Sequence, residues 1–143
     1  MSDRCIFCRI VKAKTHAHVV YEDERALAFL DIHPSAPGHT LIIPKTHVAR
    51  VEDLAEEDAR ALFAVLHKLV GRVQDAVGAP ASTIGINNGR ESGQEVPHVH
   101  IHVIPRRAAD RGGIIQGVAR GGPRPGERDL AAVAKRIRQS RES

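Results

Sequence analysis

The stretch Pro97-His98-Val99-His100-Ile101-His102-Val103-Ile104-Pro105-Arg106 sets three histidines at alternate positions among Val and Ile. Successive side chains of an extended strand point to opposite faces, so His98, His100 and His102 share one face while Val99, Ile101 and Val103 share the other. The Val/Ile face is suited to burial under a packing layer. The histidine face is suited to chemistry, because imidazole attacks, shuttles protons or binds metals near neutral pH. Same-face residues repeat about every 6.8 Å along a strand, which puts His98 and His102 about 13 Å apart. Zinc holds imidazole nitrogens at about 2.0–2.1 Å, so a three-histidine zinc site from this strand alone is disfavoured and the histidines must divide their work.

Outward from this strand, the alternating and apolar runs predict four more. His18–Glu22 and Ala26–Asp31 read as a hairpin about Asp23-Glu24-Arg25, Thr40–Ile43 as a third strand ended by Pro44, and Thr83–Asn88 as a fourth; His98–Ile104 is then the fifth. Between the third and fourth the period becomes helical. Ala59, Leu62, Phe63, Leu66, Leu69, Val70, Val73 and Ala76 recur at spacings of three and four. Asp53 with Glu56 predicts a capping box at the start of this helix, and Gly78 and Pro80 supply its stop. Short helices are predicted at both termini: Cys5–Lys12, and a last helix carrying Leu130, Val133, Ala134 and Ile137 behind Gly121–Gly126. Hairpin-linked strands with one long helix predict an α+β fold, a five-stranded antiparallel sheet covered on one face.

Composition fits one domain, residues 1–143, with 42% hydrophobic and 27% charged residues and a core that aliphatic side chains must fill, since there is no Trp and few other aromatics. No run approaches the roughly 18 apolar residues of a membrane span and the N-terminus lacks a secretory pattern, so a cytoplasmic location with no membrane partner is expected. The net charge of +4 is uneven: residues 105–143 hold ten Lys or Arg against four Asp or Glu, leaving the preceding part at −2. Residues 107–143 thus read as a basic C-terminal extension. Clustered cations attract polyanions, but no aromatic side chains interleave them to stack bases, so a nucleic-acid partner is not expected.

Further motifs precede the histidine strand in order: Asp31-Ile32, Pro37-Gly38-His39, Ile43-Pro44-Lys45-Thr46-His47, Asn87-Asn88-Gly89 and Ser92-Gly93-Gln94. Together with the alternating histidines they resemble the histidine triad (HIT) family of nucleotide hydrolases and transferases, over roughly residues 5–106. The resemblance implies a five-stranded antiparallel sheet with a long helix, and a homodimer. It implies that His100 is the nucleophile, attacking the α-phosphorus of a purine nucleotide conjugate such as a phosphoramidate, an adenylate or a dinucleoside polyphosphate, to form a nucleotidyl-histidine that water or another acceptor then opens. His39 and His102 fall at positions that stabilise phosphate oxygens, and Gln94 at one that contacts phosphate and leaving group, with Gly93 admitting close backbone approach. Asp31 matches the ribose contact, Phe7, Ile10, Phe29 and Ile32 the base pocket, and Asn87 a phosphate or sugar contact, although each apolar residue also reads as ordinary core and Asn-Asn-Gly as a turn. Glu95 departs from relatives that carry Ser or Thr, and a carboxylate does not donate to phosphate. That departure leaves open a nucleotide-binding regulatory module with little turnover, and a metallohydrolase is a third reading.

Cys5-Ile6-Phe7-Cys8 has the C-x₂-C spacing that lets two thiolates reach one ion, and a reducing compartment argues against a disulfide. Reduced, packed thiols and a redox pair are the alternatives. The family resemblance implies a structural zinc held by Cys5, Cys8, His47 and His98.

Overall fold

The computed structural model describes residues 3–140. Its contacts divide the chain into two compact units, Met1–Gly112 and Gly113–Ser143. The first holds α1 (Ile6–Val11), β1 (Val19–Glu22), β2 (Ala26–Leu30), β3 (Thr40–Pro44), α2 (Glu56–Val77), β4 (Ala81–Gly85) and β5 (Ile101–Arg106). The five strands form one sheet in the order β1-β2-β3-β5-β4 with every neighbouring pair antiparallel, the α+β architecture that the sequence predicts. The second unit carries α3 (Glu127–Gln139), on which Leu130, Val133 and Ile137 are exposed. Among the described residues no helix is long and apolar enough to cross a membrane.

The sheet is covered on both faces, where the sequence predicts cover on one. Ala26, Ala28, Ile42, Val99, Ile101 and Val103 pack against Leu62, Val65 and Leu69 of α2. On the other face Leu27, Phe29, Leu41 and Ile43 pack against Cys5, Phe7 and Cys8 of the N-terminal turn. Strands buried on both sides read as continuous apolar runs, which is why Ala26–Leu30 and Thr40–Pro44 show little polar alternation.

Several boundaries differ from the sequence reading. Asp53 ends a separate 3-10 turn, and α2 starts at Glu56 behind Ala55, which makes no side-chain cap; Glu56, Glu57 and Asp58 in the first turn suit the helix dipole instead of the expected capping box. Phe63 is 46% exposed, and Val65 takes the core place expected for it, because three residues on from Leu62 falls back on the buried stripe and one residue on does not. The helix ends as predicted at Gly78, whose φ of +65 opens the left-handed C-cap. β4 spans Ala81–Gly85 rather than 83–88, and the laddered part of β5 begins only at Ile101.

Candidate active site and metal centre

His98 and His100 lie just ahead of the β5 ladder, in a segment held by the Val99 amide donating to the Val48 carbonyl at 2.7 Å. The face alternation nevertheless holds: Val99, Ile101 and Val103 are fully buried on the α2 side, and the histidines project to the face that carries the N-terminal turn. His98 and His100 are buried and His102 is half-buried.

Hydrogen-bond partners fix which nitrogen of each ring carries the proton. A carbonyl only accepts, so His98 Nε2, 2.8 Å from the Pro44 oxygen, is protonated and its Nδ1 presents a lone pair. His100 Nδ1 donates to the His98 carbonyl at 2.7 Å, which leaves Nε2 with the lone pair. The Ser35 amide donates to His39 Nδ1 at 3.0 Å, placing that ring's proton on Nε2. His39 Nε2 in turn donates to His102 Nδ1 at 2.9 Å, and His102 keeps its proton on Nε2. The His100 and His102 ring centres are 4.9 Å apart. Burial, helped by its histidine neighbours, pushes His102 down to about 4. Burial also lowers His39, outweighing Asp31, whose Oδ2 lies 3.6 Å from Nε2. The His100 ring, with its Nε2 lone pair free, thus lies beside a His102 donor whose tautomer is set two groups away.

The remaining sequence-predicted residues fall into distinct places. Asp31 is partly exposed, with Oδ1 accepting from the His33 amide. Phe7 and Phe29 are buried with ring centres 5.5 Å apart, Ile10 is half-buried at their edge, and Ile32 is 72% exposed. Gln94 lines a cleft of about 290 Å³ with Ala49, Arg50, Gly89, Arg90, Glu95 and Pro97. Both hydrogens of its amide are committed, to the carbonyls of Ala49 and Val96, and its oxygen accepts from the Gly89 amide. In these contacts its side chain clamps the turn. Glycine at 93 answers to a φ of +100, since an added Cβ there would meet open space. Asn87 is exposed, while its neighbour Asn88, which sequence reasoning passed over, accepts from the Val51 amide and donates to Glu52.

A second cluster unites Cys5, Cys8, His47 and His98, whose ligand atoms all lie within 4.8 Å of one another. Cys5 is the N-cap of α1, which brings Cys8 back to the same point one turn later. Cys8 Sγ lies 3.2 Å from His47 Nδ1 and 3.7 Å from His98 Nδ1, Cys5 Sγ lies 3.5 Å from His98 Nδ1, and the two Nδ1 atoms are 3.3 Å apart. Tetrahedral zinc with ordinary bond lengths requires edges of about 3.6 Å between sulfur and nitrogen and about 3.3 Å between nitrogens, so this donor set fits that ion. The Pro44 carbonyl is the outer partner that a ligating imidazole needs. Burial holds His98 down to about 4, in the neutral form that binds metal, and pushes the Cys5 thiol up, which a bound cation would reverse.

Asp31, His39 and His102 also gather donor atoms within that distance. There, however, the far nitrogen of His39 faces an amide hydrogen, so Nε2 must keep its proton and a metal on it would force two donors together. The two clusters are separated by what stands behind the ring: a carbonyl behind His98, an amide behind His39.

A family model described as the HIT domain matches residues 12–109, a span that includes His39, His47, Gln94 and the three strand histidines. The chain is 45% identical over 106 residues to an uncharacterized HIT-like protein of Methanocaldococcus jannaschii, covering 74% of this chain and 81% of that one. It is 41% identical over 102 residues to an adenosine 5'-monophosphoramidase of Schizosaccharomyces pombe, covering 71% and 74%. It is 40% identical over 94 residues to that organism's asymmetrical bis(5'-nucleosyl)-tetraphosphatase, covering 66% of this chain and 52% of that one. A Streptococcus mutans structure superimposes with a TM-score of 0.87 at 37% identity, covering 97% of this chain and 86% of that one. A zinc-bound histidine triad family protein of Mycobacterium smegmatis does so at 0.71 and 34%, covering 95% and 97%. With the family model spanning all of these residues and relatives this similar over most of the chain, the chain belongs to the HIT family.

Proposed function

We propose that the chain is a nucleotide hydrolase or nucleotidyl transferase that cleaves purine nucleotide conjugates at the α-phosphate, with His100 as nucleophile. The observation that carries this reading is the His100 Nδ1 bond to its own main chain at the His98 carbonyl, which aims a lone pair on Nε2 out of the ring. That nitrogen attacks the α-phosphorus, the bond to the leaving group breaks, and water or another acceptor then displaces the nucleotide and restores the imidazole. His102, its proton held on Nε2 by His39, donates to a non-bridging oxygen as charge develops. Asp31 takes the ribose hydroxyls through its second oxygen, Phe7, Ile10, Phe29 and Ile32 border the base, and Gly93, Gln94 and Asn87 belong to the rim around the phosphate. Relatives named as a phosphoramidase and a tetraphosphatase support phosphoramidates and dinucleoside polyphosphates within this substrate range, which also takes in adenylates.

Cys5, Cys8, His47 and His98 hold a structural zinc in this reading, a closed four-ligand site that fastens the N-terminus to the sheet and activates no water. The protein works as a cytoplasmic homodimer. Incubation with adenosine 5'-phosphoramidate and with diadenosine tetraphosphate tests the activity: the wild type should release AMP and show, after rapid alkaline quench that preserves the P–N bond, a mass gain of one adenylyl group that His100→Ala lacks. Equal rates in both proteins would end the assignment. Light scattering checks the dimer.

A further inference from the structure

The short helix that supplies both cysteines also supplies Phe7, and Phe7 touches the nucleophile. Its ring meets His100 edge-on with centres 5.1 Å apart, His98 at 5.8 Å and Phe29 at 5.5 Å. Cys5, Phe7 and Cys8 are all buried against the sheet. With six residues, α1 is too short to hold its shape without tertiary anchors. Its anchors to the sheet are that buried apolar cluster and the ligand atoms facing His47 and His98. His47 Nδ1 and His98 Nδ1 lie 3.3 Å apart. His98 adds a second link: one residue offers its ring to the metal cluster and its carbonyl to His100 Nδ1.

We propose that metal occupancy at the Cys5/Cys8/His47/His98 cluster positions the His100 ring, with Phe7 as the positioning residue that carries the coupling. The inference rests on the reading of that cluster as a zinc centre and of His100 as nucleophile. When the four ligands are drawn together, α1 presses Phe7 against the His100 ring and the His98 carbonyl stays aimed at Nδ1. When they separate, Phe7 backs away, the His98 carbonyl swings, and His100 samples both tautomers and other rotamers. Only the tautomer with Nδ1 protonated presents Nε2 to phosphorus.

The test uses full-length, nucleotide-free protein with ¹⁵N-labelled histidine, zinc content by elemental analysis, and long-range ¹H–¹⁵N correlation of the His100 ring, assigned with His100→Gln. In zinc-loaded protein His100 should show one tautomer. Chelation should turn it into an averaged pair of ring-nitrogen shifts, and added zinc should restore it. Phe7→Leu, with Phe7→Met as a second variant, should keep one zinc per chain yet show the averaged signals and lose kcat by about tenfold, the scale of effects that reach a site through its supporting shell. Unchanged His100 signals in the stripped protein and in both variants would overturn the coupling while leaving the zinc centre standing. Loss of zinc from both variants would overturn it also, since Phe7 would then serve the metal alone. A chain that never takes up zinc would overturn the metal reading and the coupling with it.

Discussion

His39 Nε2 lies 2.9 Å from His102 Nδ1, and the proton between them belongs to His39 because the Ser35 amide occupies the other side of that ring. His102 is thereby kept as a donor through its Nε2. His102→Ala should lower kcat by about 10²–10³-fold, the scale for removing one preorganised donor. His39→Leu leaves the donor in place with its tautomer unset and should cost less, with zinc content unaltered in both. Steady-state kinetics on adenosine 5'-phosphoramidate would check the order.

Acid should destabilise the fold over a defined window. An unfolded His102 takes up a proton near its ordinary 6.5, whereas the folded one is held down to about 4. Between those values the unfolded chain binds more protons, so stability is full above pH 6.5 and is lost as pH falls toward 4. Lowered values at His39 act in the same direction. Urea midpoints measured from pH 8 to 4 should fall through this range, and His102→Gln should show a shallower fall.

Stripping the metal should lower the melting temperature. A ligand present at 1,000 times its dissociation constant stabilises by about 4 kcal/mol, so chelation should shift the calorimetric transition by several degrees, and Cys8→Ser should reproduce most of that shift. An unchanged transition on chelation would mean the four side chains hold no ion.

Glycine is required at two rim positions for different reasons. Gly93→Ala places a side chain in open space at a φ of +100, so its cost is conformational, about 1–2 kcal/mol. Gly89, at φ +100 and ψ 155, lies in a backbone region open essentially to glycine alone, so Gly89→Ala should be the more damaging of the two in urea denaturation, while the Arg50 guanidinium that an added Cβ would meet can swing aside.

The strand alternation, the β1–β2 hairpin, the long helix and the Cys5/Cys8 pair are legible in the sequence because each depends on residue type at a fixed local spacing, whereas His47 and His98 join that pair only through the family resemblance and the fold. What fixes the histidine tautomers is not, because the deciding groups are the Ser35 amide, the Pro44 carbonyl and the His98 carbonyl. Every residue type except proline offers the same backbone pair, so no residue choice announces which one a loop will deliver. Gln94 shows the same limit, as its type suits either a ligand contact or a backbone clamp and only the positions of Ala49, Gly89 and Val96 decide. Phe63 meets the three-and-four spacing yet lies off the buried stripe, and Val65 sits at the better angle. Cover on the second face was hidden in α1, too short to show a period.

The clamp formed by Gln94 joins the turn at Gly89 to the chain that follows His47, so the wall of the cleft is tied to the scaffold by an amide whose hydrogens are already in use. Glu91 and Glu95, by contrast, are exposed on the same turn. Exchange of residues at these two positions changes the charge that the turn presents to solvent without loosening the frame beneath it.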